Sequence, residues 1–175
     1  MMPLDQLSAS LKEPPLREIA VYWGRARAGR RLPSWRDIDP IALAPHLPIL
    51  WAWRWDKALD TFVGRLAGEA ILDVTGPGFR GRRLEDFFAD RGPEIVKSRY
   101  RRVIEEPALM RNHGFVFLRS GGSGIGERIA LPLAEDGEHP DGVLGATVYY
   151  PSGHLLARAR ISFSSEPQSV EFFSL

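Results

Sequence analysis

Residues 49–55 read Ile-Leu-Trp-Ala-Trp-Arg-Trp, and no other stretch constrains the fold as tightly. Ile49, Trp51, Trp53 and Trp55 share one face of an extended chain, with Leu50, Ala52 and Arg54 on the other. Period two with large aromatics is the pattern of a β-strand. After a polar turn at 56–60 the run Thr-Phe-Val-Gly-Arg-Leu-Ala-Gly, residues 61–68, alternates again. It sets Phe62, Gly64 and Leu66 against Val63, Arg65 and Ala67, so the two runs predict an antiparallel hairpin.

Helical signals lie on either side. Leu16, Ile19, Ala20 and Trp23 fall at i, i+3, i+4 and i+7, one apolar stripe on a helix that Gly29 is placed to end. Asp39 followed by Pro40 suits the start of a short second helical element, and Pro45 and Pro48 forbid a long one. Residues 69–91 read as irregular, with a short helical piece at Arg82–Asp90. Residues 93–105 suit a longer helix, opened by Pro93 and stopped by Pro107. Three strand-like runs follow at 113–119, 126–134 and 142–150. Glycine-rich or charged loops join them, including Gly121–Gly126, which lacks the lysine and following helix of a phosphate loop. This order predicts an α+β fold with a five-stranded antiparallel sheet, helices on one face, and the N-terminal amphipathic helix on part of the other. The expected organisation is a flexible lead-in (1–13), a helical extension (14–48), the main domain (49–150) and a C-terminal tail (151–175).

With 175 residues the chain is long enough for one well-buried domain. It has no cysteine, which excludes disulfides, thiol nucleophiles and cysteine–zinc sites. A net charge of +1 argues against a dedicated nucleic-acid binder, and no run is apolar enough to predict a membrane span. The N-terminus lacks a secretory signal pattern, so a cytoplasmic location is expected.

Several short motifs occur in a specific order. They are Leu32-Pro33-Ser34 with Asp37-Ile38-Asp39-Pro40, Leu47-Pro48, Arg65-Leu66-Ala67-Gly68, and Gly81 leading into Leu84-Glu85-Asp86-Phe87. Tyr100 and Pro107 follow, then Leu131-Pro132-Leu133-Ala134 with Asp136-Gly137, and Val143-Leu144-Gly145. Over roughly residues 15–150 the chain resembles a group of bacterial stand-alone PAS-like proteins. It departs from their pattern before Gly81, where Pro77-Gly78-Phe79-Arg80 stands in place of an acidic residue and a threonine. The resemblance implies a PAS-like fold and a sensory or regulatory role, and it names no ligand.

Two readings stay open for the aromatic set Trp53, Phe62, Leu66, Phe87, Phe88, Tyr100, Phe115 and Phe117, with Trp51. These residues fill a core, or they line an apolar pocket for a small molecule. Arg65 and His113 are the polar candidates for such a pocket. Leu16, Ile19 and Trp23 are expected to dock on the sheet or to contact a second copy or partner, which predicts a homodimer. No catalytic constellation and no metal-ligand spacing is found, and no cofactor is expected. The leading reading is a non-catalytic signalling module whose output lies in a partner protein. The alternatives are a small-molecule sensor or carrier, or a small enzyme on a cone-shaped α+β fold that pairs His113 with Tyr100 or Asp86.

Overall fold

A computed structural model describes residues 2–87, 92–119, 122–150 and 169–175, without the side chains of 115, 117–119 and 122–124. Six strands form one antiparallel sheet: β1 (Leu50–Asp56), β2 (Thr61–Ala67), β3 (Ala108–Arg119), β4 (Gly122–Leu133), β5 (Gly142–Tyr149) and β6 (Ser169–Ser174). Their spatial order is β2-β1-β5-β4-β3-β6. The tryptophan strand therefore lies beside β5, the last strand of the main domain, with Trp51 opposite Gly145 and Trp53 opposite Val143.

The sheet has six strands rather than five, because the end of the chain returns as β6 and pairs with β3 from Ala108↔Ser174 to His113↔Ser169. β3 and β4 are also longer than their apolar runs, since backbone pairing continues through the glycines up to Arg119↔Gly122. Most of the stretch expected to be a loop at 121–126 is thus strand.

Both faces of the sheet are covered, as the alternation in β1 requires. On the front lie α3 (Glu69–Thr75), a short 3-10 turn at Leu84–Phe87, and α4 (Gly92–Glu105). Trp51, Trp53, Phe62, Met110, Ala130 and Val143 meet these elements. On the back lie α1 (Pro3–Ser10) and α2 (Pro14–Ala26), over Leu50, Ala52, Leu109, Ile129, Leu131 and Leu144. Within residues 1–13, expected to be a flexible lead-in, Pro3–Ser10 form α1, whose Leu7 is fully buried and is followed by buried Leu11.

The α2 stripe docks on the chain's own sheet. Leu16, Ile19 and Trp23 are each 0% exposed, and the Trp23 indole Nε1 donates to the Pro132 carbonyl at 2.9 Å. While α2 is docked, these three side chains have no surface with which to touch a second copy. Leu32 N donates to the Gly137 carbonyl and Ala134 N to the Pro33 carbonyl, so two of the sequence motifs are where the segment after α2 is tied to the β4–β5 loop.

Trp23→Ala is expected to lower stability in urea denaturation by about 3–5 kcal/mol, the usual cost of emptying a large aromatic site. A loss below about 1 kcal/mol would mean that the stripe is not docked in solution.

Candidate functional site

The front face holds an aromatic cleft. Trp51 stacks on Tyr100 of α4 at 5.1 Å between ring centroids, and Phe62 meets Tyr100 edge-on at 5.8 Å. Trp53 lies 4.5 Å from Phe79 and 5.7 Å from Phe87. The space left between Trp51, Trp53, Ile71, Thr75, Phe79, Phe87, Tyr100, Arg128 and Tyr149 is about 20 Å³. That is room for about one water molecule, not for an organic ligand.

One side chain in this cleft is a cation. Arg128 of β4 is only 6% exposed and points into the aromatic layer, with its guanidinium 5.3 Å from the Trp51 ring. Its Nε donates to Thr147 Oγ1 at 2.9 Å and its Nη1 to the Tyr100 hydroxyl at 3.2 Å. Trp51 Nε1 donates to the same Thr147 oxygen at 2.8 Å. Burial pushes the Tyr100 phenol up to about 12, against a smaller opposing pull from Arg128. Tyr149 is raised for the same reason and is also hydrogen-bonded to Arg128. Arg128 is therefore held by neutral hydroxyls.

The neighbouring residue in β4 projects to the other face. Glu127 is fully buried and accepts from the backbone N–H groups of Lys12 and Glu13, at the junction of α1 and α2, at 2.8–3.2 Å. It also accepts from Arg111 Nε at 2.7 Å, and Arg111 Nη1 in turn donates to Glu171 of β6 at 2.8 Å. One carboxylate thus ties the helical cap to β3, and through Arg111 to β6.

Of the pocket residues expected from sequence, Trp53, Phe62, Phe87 and Tyr100 come together on the front face. Leu66 does not. A β-bulge sets Ala52 opposite Leu66 but Trp53 opposite Gly64, leaving Arg65 as the extra residue. The bulge breaks the period of two, so Leu66 packs with the back-face cluster while Phe62 stays in front. Arg65 is exposed and lies 4.2 Å over the Trp35 ring, outside the cleft. His113 shares the face of Arg111 in β3, with its Nε2 3.2 Å from the Tyr150 hydroxyl. It is on the opposite side of the sheet from Tyr100, and Asp86 accepts from Arg83 N, so the histidine pairing required by the enzyme alternative is not assembled. Phe88 and the side chains of Phe115 and Phe117 lie outside the described residues. Among the described residues there is no group of His, Asp and Glu able to hold a metal ion, and no helix is long and apolar enough to cross a membrane.

Sequence reasoning missed Arg128, Thr147, Phe79 and Tyr149. A signal for Arg128 was present: it is a charge inside a strand whose neighbours, Ile129 to Ala134, are apolar on both faces. Such a strand is buried on both sides, so its arginine has to be buried as well.

The family model described as "PAS domain" matches residues 11–148. Among solved structures, one described as "Flavin Analogue Sheds Light on Light-Oxygen-Voltage Domain Mechanism" aligns with 12% identity and a TM-score of 0.45, covering 72% of this chain and 94% of that one. No curated protein matches the chain.

Thr147→Val keeps the shape of the side chain but removes the acceptor shared by Trp51 and Arg128. It is expected to cost about 2 kcal/mol or more in urea denaturation, and a neutral result would contradict the hydrogen-bond network. The raised Tyr100 pKa has a signed consequence. The unfolded chain loses this proton near pH 10.0 and the folded chain near 12, so stability is full below pH 10 and falls across that window. Tyr100→Phe is expected to flatten the decline, and an unchanged slope would show that Tyr100 titrates normally.

Proposed function

The chain belongs to the PAS domain family, whose model matches residues 11–148, and from that premise we propose a sensory or regulatory module that catalyses no reaction and acts through protein contacts. The observation that carries this reading is the placement of Glu127. It is next to a cleft residue in β4, yet its carboxylate holds the α1–α2 junction on the far side of the sheet. A shift of β4 in response to the cleft would alter hydrogen bonds that are already near their optimal length. Docking of the cap is then an equilibrium, and anything with unequal affinity for the docked and released forms moves it.

Release of the cap would expose Leu16, Ile19 and Trp23, the stripe suited to a partner or a second copy. In this reading homodimer or partner contacts through that stripe form at the expense of intramolecular docking. The closed cleft supports protein contact as the output, since a void the size of one water leaves the front layer packed as a core.

Glu127→Gln keeps the size of the side chain but removes its charge. Amide exchange over residues 11–26 is expected to quicken at least roughly tenfold, the effect of losing about 1.4 kcal/mol of cap docking. The tagged full-length variant is also expected to retain a different set of proteins from an extract of the native cell. Unchanged exchange together with an unchanged set would contradict the proposal.

A further inference from the structure

We propose that the outer face of the helical cap is a docking groove for an acidic amphipathic helix of a partner protein. The groove, of about 530 Å³, lies between α2 and the segment that follows it. One wall is the side of α2 turned away from the sheet. Arg17, Val21 and Arg25 are spaced four residues apart there and form a single row along the helix. Ala42 and Leu43 line the other wall.

Two contacts hold these walls together. The Tyr22 hydroxyl donates to the Asp37 carbonyl at 3.1 Å and accepts from Asp39 N at 2.6 Å. Glu18 Oε2 lies 3.0 Å from His46 Nε2. Pro40, Pro45 and Pro48 restrict the backbone of the second wall further. A groove set in this way loses little conformational freedom when a partner enters it.

The charge on the groove selects the partner. Arg17 Nε and Nη2 donate to the carbonyls of Ser8 and Leu11 at 3.2 and 2.7 Å, which orients the guanidinium without neutralising it. The neighbouring carboxylates are engaged elsewhere: Glu18 with His46, Asp37 with Arg30, and Glu135 with Arg36. Asp39 Oδ1 accepts from Ile41 N at 2.8 Å. Among the described residues no carboxylate pairs with Arg17 or Arg25. The row therefore sets a positive charge at each end of an apolar centre, about 12 Å apart at 1.5 Å of rise per residue. Val21 is exposed at that centre, and Ile41, next to Ala42, is 83% exposed. A helix with two carboxylates about two turns apart and apolar side chains between them matches both the charges and the uncovered surface.

This inference rests on the reading of a module that acts through protein contacts, but it uses the docked cap and not the released stripe. The test uses the full chain and a fluorescein-labelled synthetic helix, with two glutamates about two turns apart around a leucine pair, against a twin with glutamines in their place. Fluorescence anisotropy at low ionic strength is expected to show the glutamate helix binding roughly tenfold more tightly, an advantage that shrinks as salt is added. Arg25→Glu and Val21→Asp, both on the exposed side of α2, are each expected to weaken that binding about tenfold, and Arg25→Glu to favour a helix with lysine at the matching end. Wild-type protein that binds the twins equally or binds neither, or Arg25→Glu that binds at full strength, would overturn the groove. Self-association of the wild type that Arg25→Glu abolishes would give the groove to a second copy and overturn the proposal as well. The glutamate helix at about ten times its Kd is expected to slow amide exchange over 11–26 roughly tenfold, because it binds the docked cap. Binding with unchanged exchange would uphold the groove and count against the docking equilibrium. No binding, beside quickened exchange in Glu127→Gln, would remove the groove and leave that equilibrium standing.

Discussion

Trp51 lies so close against Gly145 that the two leave no room for one further carbon. A β-carbon on Gly145 would lie 2.1 Å from the indole ring. This cross-strand contact lets the indole lie along the sheet, where its Nε1 reaches Thr147 and its face meets Tyr100. Thr147, fixed in that way, accepts from Arg128. The cleft is therefore built outward from one tryptophan and one glycine on adjacent strands. Its polar centre depends on the same pair.

Two solutions to burying an arginine occur in this sheet, one on each face. The back-face solution uses carboxylates and links three separated parts of the chain: the α1–α2 junction, β3 and β6. It does structural work at the cost of desolvating two acids and a base. Among the described residues, the front-face solution uses hydroxyls and aromatic rings. A sheet that has one compensated arginine and one held by neutral groups is asymmetric in charge across its thickness. Adjacent residues of β4, Glu127 and Arg128, sit at the boundary, so the strand that feels the cleft also holds the cap.

Much of this fold was legible from residue periodicity. The alternation at 49–55 placed Trp51 and Trp53 on one covered face, and the spacing of Leu16, Ile19 and Trp23 marked the docked side of α2. The ordered motifs were legible too, and the contacts explain them. Gly68 has the carbonyl of Leu47 where a β-carbon would sit, and Gly145 has the Trp51 ring there. What escaped the reading were departures from periodicity and contacts distant in sequence. The bulge at Arg65 reverses the face of Leu66, and nothing in the run itself announces it. β6 pairs with a strand more than fifty residues earlier, and α1 owes its place to Leu7 and Leu11 burying under α2 and the sheet, not to a strong local pattern. Arg128 escaped because its role depends on both faces of β4 being covered at once.

The central claim is that β4 carries a change in the front-face cleft to the helical cap behind it. Native-state hydrogen exchange on the Arg128→Met variant tests this most directly, because Arg128 touches none of α1 or α2. The account predicts altered protection over residues 11–26 along with the expected changes near Tyr100 and Thr147. Changes confined to the front-face layer, with the cap exchanging as in wild type, would contradict it.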